Sequence, residues 1–195
     1  MPITHQIDGV AIYDVAMVPF MQKLHRDLAP TPLWGYDGAC PGPTIEARSG
    51  VPIRLLWRNA LPSTHALRID PTIHGAEPDK PAVRTVVHLH GLKVLPDSDG
   101  YPDAWFTSEF AQTGPFFKTR IYDYPNDQRA ATLWYHDHAV GITRLNIYMG
   151  LAGLYILRDA VEDSLNLPSG MYEIPLIIQD RNIAPDGSLV YPHPT

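Results

Sequence analysis

Short runs of Val, Ile, Leu, Tyr and Trp alternate along this chain with breaks centred on Pro and Gly. Such spacing is the mark of short strands joined by turns, because proline presets φ and glycine accepts positive φ where the chain reverses. The apolar positions predict strands at 11–18, 44–47, 51–58, 84–90, 116–124, 131–136 and 151–158, with one short helix at 141–148. Pro41-Gly42-Pro43, Pro62-Ser63-Thr64 and Pro96-Asp97-Ser98-Asp99-Gly100 read as loops between them. The expected fold is all-β, a sandwich or barrel.

After Asp159 the pattern loosens. An apolar run, Ile174-Pro175-Leu176-Ile177-Ile178, opens an element that is not completed before the tail Pro192-His193-Pro194-Thr195, which reads as a linker. The expectation is one sandwich over residues 1–159, with 160–195 as the linker and first strand of a following domain, all in the front piece of a longer protein.

Twenty Pro and fourteen Gly sit in an otherwise ordinary globular composition, 45% hydrophobic. The net charge of −6 argues against a nucleic-acid backbone or an anionic membrane as partner. No apolar stretch approaches the roughly 20 residues of a spanning helix. The amino terminus shows neither the positive nor the apolar region of a signal peptide, so synthesis in the cytoplasm is expected. The lone Cys40, set in a Gly/Pro turn, cannot form an internal disulfide and reads as structural.

Chemistry concentrates in two histidine pairs, His88-Leu89-His90 and His136-Asp137-His138, each closing a strand-like run. Residues i and i+2 of a strand share a face about 6.5–7 Å apart, and adjacent strands lie about 4.8 Å apart. If the two strands are neighbours, four neutral imidazoles gather at one rim of the sandwich and form a metal site. Imidazole suits zinc, copper, iron and nickel, so residue type alone leaves the ion open. A closed zinc site is the structural rival, and two solvated strand ends that bind nothing are the plainest alternative. A zinc hydrolase would want a general base, and carboxylates are scarce here.

Asp137 alternates to the face opposite its histidines, which suits packing or a hydrogen bond. Asp99 is the better placed carboxylate for supporting a ligand, although a turn-forming aspartate is its simplest reading. The Asp97–Gly100 run fails as a calcium loop, since Pro102 stands at the glycine position and Ser108 at that of the bidentate glutamate. His5, His25, His65, His74 and His193 are assigned no role. Trp34, Trp105 and Trp134 read as packing.

Thr85-Val86-Val87-His88-Leu89-His90-Gly91 with Asp97-Ser98-Asp99-Gly100-Tyr101-Pro102-Asp103-Ala104-Trp105-Phe106 resembles the first copper motif of the multicopper oxidases. Leu133-Trp134-Tyr135-His136-Asp137-His138 with Thr143-Arg144-Leu145-Asn146 resembles the second. Leu33–Tyr36, Pro41–Glu46 and Gln179-Asp180-Arg181 extend the likeness through most of the chain, nearest to the spore-coat laccases, with bilirubin oxidase and phenoxazinone synthase as relatives. Gly91-Leu92 departs from the two glycines usual there and touches no ligand.

The resemblance implies a Greek-key sandwich of the cupredoxin type, the first of several. It implies that His88 binds a type 2 copper, His90 and His136 one type 3 copper, and His138 the other, in a three-copper cluster completed by a later domain. Asp99 would assist proton delivery. The whole enzyme would oxidise phenolic or other aromatic substrates by single electrons at a type 1 copper outside this chain and reduce dioxygen to water. Its partners would be the remaining cupredoxin domains, its location the spore coat, and this stretch by itself would be inactive. The alternative is a non-catalytic copper-binding or coat-structural module.

Overall fold

A computed structural model describes residues 5–7 and 9–192, folded as two facing β-sheets. The first contains β1 (His5–Ile7), β2 (Val10–Gln22), β3 (Thr31–Tyr36), β5 (Ile53–Asn59) and β7 (Ile121–Tyr124). The second contains β4 (Gly42–Arg48), β6 (Val87–His90), β8 (Ala131–Asp137) and β9 (Ala152–Arg158), in the order β4-β9-β8-β6. β2 pairs with β5, and β4 with β9, in parallel. Parallel partners cannot be joined by a hairpin, so the chain crosses between sheets from β3 to β4 and back to β5. This is the Greek-key sandwich expected from the sequence.

Period-two alternation decides what is buried. In β5, Ile53, Leu55 and Trp57 are buried; in β4, Ile45 and Ala47 turn inward while Glu46 and Arg48 face solvent. At the centre, the Trp57 ring lies 5.4 Å from that of Tyr36 and 5.4 Å from that of Tyr135. Trp57, 1% exposed, carries about 3–5 kcal/mol against truncation to alanine.

Three expectations need correction. The strand expected at 116–124 begins only at Ile121, because the Thr119 hydroxyl closes a turn by donating to the Ile121 carbonyl and accepting its N–H. The strand expected at 84–90 shortens to Val87–His90: Thr85 bridges instead to Phe106, and the buried Arg84 guanidinium donates to the carbonyls of Pro81, Gly75 and Val140. β3 is absent from the predicted strands, since Pro32 and Gly35 break its pattern. It is an edge strand paired only with β2, where a proline's missing N–H is tolerated.

The helix α1 (Thr143–Met149) lies where one was expected. Beyond β9 comes α2 (Ala160–Asp163), whose first turn is capped by the Asp159 carboxylate accepting from the Glu162 N–H. Arg158 pairs with Glu46, Glu162 and Glu173, and this holds the 160–173 stretch against the outer side of β4 and β9. Residues 174–178 form no strand among the described residues, and Ile178 is 95% exposed. A hairpin of β10 (Asn182–Ile183) and β11 (Leu189–Val190) follows, fastened to α1 through the Tyr148 hydroxyl. His193 and the end of the tail lie outside the described residues. Among those described, no helix is long and apolar enough to cross a membrane.

Candidate metal centre

The register of β6 against β8 brings the two histidine pairs together: His88 lies opposite His136, and His90 opposite Trp134. Val87, Leu89, Leu133 and Tyr135 alternate into the core, which leaves His88, His90, Trp134 and His136 on the outer face of the second sheet. His138 follows the end of β8, and its backbone N–H donates to the Val86 carbonyl at 2.8 Å. Ring centroids are 5.3 Å apart for His88 and His90, 5.5 Å for His88 and His136, and 4.8 Å for His88 and His138. All four predicted ligands therefore meet, on the outer face of the sheet at its end.

Three of the imidazoles are fixed in one tautomer by backbone carbonyls. Nδ1 of His88 donates to Asp99 O at 2.5 Å, that of His136 to Asp137 O at 2.7 Å, and that of His138 to Gly100 O at 2.9 Å. With Nδ1 protonated, each ring keeps an Nε2 lone pair for a metal. His90 differs: its Nδ1 faces Nε2 of His136 across 3.4 Å. Two ligands each about 2.0–2.1 Å from one tetrahedral ion stand about 3.3 Å apart, so this separation matches a shared ion. One nitrogen from each of His88, His90 and His136 lies within 4.8 Å of the others.

Burial makes two of these rings, His88 and His136, ready to ligate. It pushes the His136 pKa down to about 4 and lowers that of His88 despite the hydrogen bond to Asp99, so both are neutral near pH 7. Trp134 stacks on His136 at 4.0 Å and shields it on one side. Its parity with His136 in the sequence already puts it on that face, although the apolar pattern reads it as simple packing.

Asp137 is fully buried and points away from the imidazoles. Its carboxylate accepts from the N–H groups of Val86 and Ala139, both at 3.1 Å, and from Asn146 Nδ2 at 2.9 Å. Burial raises its pKa to about 7 against the pull of these donors. Asp99 meets the cluster chiefly through its carbonyl; its half-exposed carboxylate stands 3.6 Å from His88 Nδ1. Gly100 makes this loop possible, because at φ +76° any Cβ would come within 2.1 Å of Val87 O. Cys40 is buried away from the histidines, with Sγ 3.8 Å from Arg181 Nη2.

Residues 80–162 match the family model described as Multicopper oxidase. These residues form a multicopper-oxidase family domain. That match selects copper among the ions imidazole accepts. The laccase of Bacillus subtilis strain 168 is 56% identical over 182 residues, covering 92% of this chain and 36% of that protein. The laccase of Haloferax volcanii is 45% identical over 196 residues, covering 96% of this chain and 34% of that one. In three dimensions, the crystal structure of a laccase from Pediococcus acidilactici Pa5930 superposes with a TM-score of 0.74 at 27% identity, over 97% of this chain and 35% of that one. The chain thus spans about a third of the length of these multicopper oxidases, and its sandwich is of their cupredoxin type.

Proposed function

We propose that this chain supplies half of the histidine ligands of a three-copper cluster in a laccase-type oxidase. His88 holds the type 2 copper, His90 and His136 share one type 3 copper, and His138 binds the other. The observation that carries this is the lone-pair arrangement: three rings present Nε2 because carbonyls take Nδ1, and His90 alone turns Nδ1 toward its neighbour. The exposed His90 and the half-buried His88 and His138 leave one side of the group open to ligands from another part of the protein. Copper held by these residues would supply one-electron redox chemistry toward dioxygen.

The residues of this chain orient the imidazoles and hold those of His88 and His136 neutral, and the Asp99 carboxylate at the rim would supply protons for the reduction of dioxygen. A type 1 copper held elsewhere in the protein would take electrons from phenolic or other electron-rich aromatic substrates, so the chain alone would not turn over. The remaining cupredoxin domains are its partners. The spore coat, as for the laccases its motifs resemble, is its proposed location.

The test is copper analysis of the protein as its gene encodes it, with His136 and His138 both replaced by alanine. Loss of type 3 copper with the blue type 1 absorption retained is expected; an unchanged copper content would refute the assignment. Wild-type protein that binds copper at these histidines but oxidises no phenol would favour a copper-binding or coat-structural module.

A further inference from the structure

Behind the corner where His136, Asp137 and His138 leave β8 lies a buried polar chain that the metal reading does not use. Asn146, on α1 and fully buried, donates through Nδ2 to Asp137 Oδ2 at 2.9 Å and to the Arg84 carbonyl at 3.0 Å. Both partners are acceptors, so the amide nitrogen must face them and Oδ1 must face the other way. There it lies 3.1 Å from Nε2 of His65. The two acceptors on Asn146 therefore decide the tautomer of His65: Nε2–H donates to Oδ1, and Nδ1 accepts the Leu67 N–H at 3.0 Å. The Leu67 carbonyl, 3.1 Å from the same nitrogen, would suit the opposite tautomer, but that would set two acceptors, Nε2 and Oδ1, against each other. His65 is 8% exposed and packs edge-on against Trp34 at 4.6 Å.

We propose that His65 is a positioning residue for the copper centre: by donating to Asn146 Oδ1 it holds in place the carboxamide that clamps Asp137, the residue from which His136 and His138 diverge. Asp137 grips the Val86 N–H, two residues before His88, and the Ala139 N–H, directly after His138. A change in its orientation thus reaches both histidine pairs. His65 stands 81 positions from Asn146 in the chain and touches no ligand, so only the fold connects it to the site. The proposal rests on the copper reading above.

The test compares wild type, His65→Leu and His65→Gln in the protein as encoded, loaded with copper. Copper content after dialysis, the copper EPR spectrum and the thermal unfolding midpoint are read together. Leucine fills the space without a donor, whereas the glutamine amide can donate to Asn146 again. Supporting partners typically contribute 10–100-fold to metal affinity, so His65→Leu is expected to weaken copper retention about tenfold or more and to alter the EPR spectrum, and His65→Gln to restore both.

A folded His65→Leu protein with wild-type copper retention and spectrum overturns the proposal, as does a His65→Gln protein that behaves like the leucine variant. If His65→Leu does not fold, Asn146→Ala, which removes the same clamp from a helix position, is read by the same two outcomes. Wild-type protein that takes up no copper defeats the metal reading itself; copper uptake indifferent to His65 defeats only this inference.

Discussion

At the scale of single residues, the metal centre is a competition between burial and charge. His136, held at a pKa of about 4, is neutral where the same ring in the unfolded chain, with its ordinary value of about 6.5, is protonated. Its folded value is depressed, so its contribution to stability is complete above about 6.5 and is lost as the pH falls toward 4. Asp137 acts in the opposite sense: its value is raised to about 7, and it costs stability as the pH rises from about 4 to 7. The two contributions nearly offset each other in the metal-free protein. Replacing His136 with glutamine removes one of them and leaves the other. Urea unfolding of metal-free protein near pH 5 should then show a slope of stability against pH lower by up to about 1.4 kcal/mol per unit than in wild type. An unchanged slope would mean that His136 titrates normally and is not buried as described.

At the scale of elements, the site depends on loop geometry as much as on strands. The 96–100 loop brings two carbonyls, Asp99 O and Gly100 O, onto His88 and His138, and it can do so only because Gly100 packs against the backbone of Val87. Gly9 has the same φ of +76° but open space within 4 Å of where a Cβ would stand, so it isolates the cost of the backbone conformation. Gly9→Ala should cost about 1 kcal/mol, and Gly100→Ala about 1–3 kcal/mol more through the clash. Thermal unfolding of the two variants checks the difference, and equal losses would show that the loop yields freely. Much of this centre is legible in the sequence: the His-x-His spacing on apolar runs brings four imidazoles to one face, and the parity of Asp137 puts it on the other. What stays hidden is whatever depends on contacts distant in sequence. His65 sits among turn residues with no pattern to mark it, and its bond to Asn146 exists only once α1 packs beneath β8. β3 is obscured for the opposite reason, since Pro32 and Gly35 are acceptable only because the strand lies at an edge.

At the scale of the whole molecule, the outer face of the second sheet is divided between two tasks. One end carries the imidazoles, and the other is covered by the stretch after β9, where Arg158 forms two hydrogen bonds with Glu173 at 2.8 and 2.7 Å and also reaches Glu46 and Glu162. The Arg158 side chain is 16% exposed, and no other cation pairs with Glu46, Glu162 or Glu173 among the described residues. Charge-assisted, two-pronged pairs of this kind fix geometry as well as add energy, so Arg158 acts as the fastener of the segment that leads away from the sandwich. Because His136 pairs with Ala152 at the start of β9 and Arg158 closes its other end, the histidines and the fastener occupy different ends of a rigid sheet and should vary independently. Arg158→Met keeps the apolar stem and removes the charge. Limited proteolysis should then cut residues 160–175 severalfold faster than in wild type, while copper retention at the histidines stays unchanged. Loss of copper together with faster cleavage would mean instead that the covering segment and the metal centre are one cooperative unit, held in place by the same arginine.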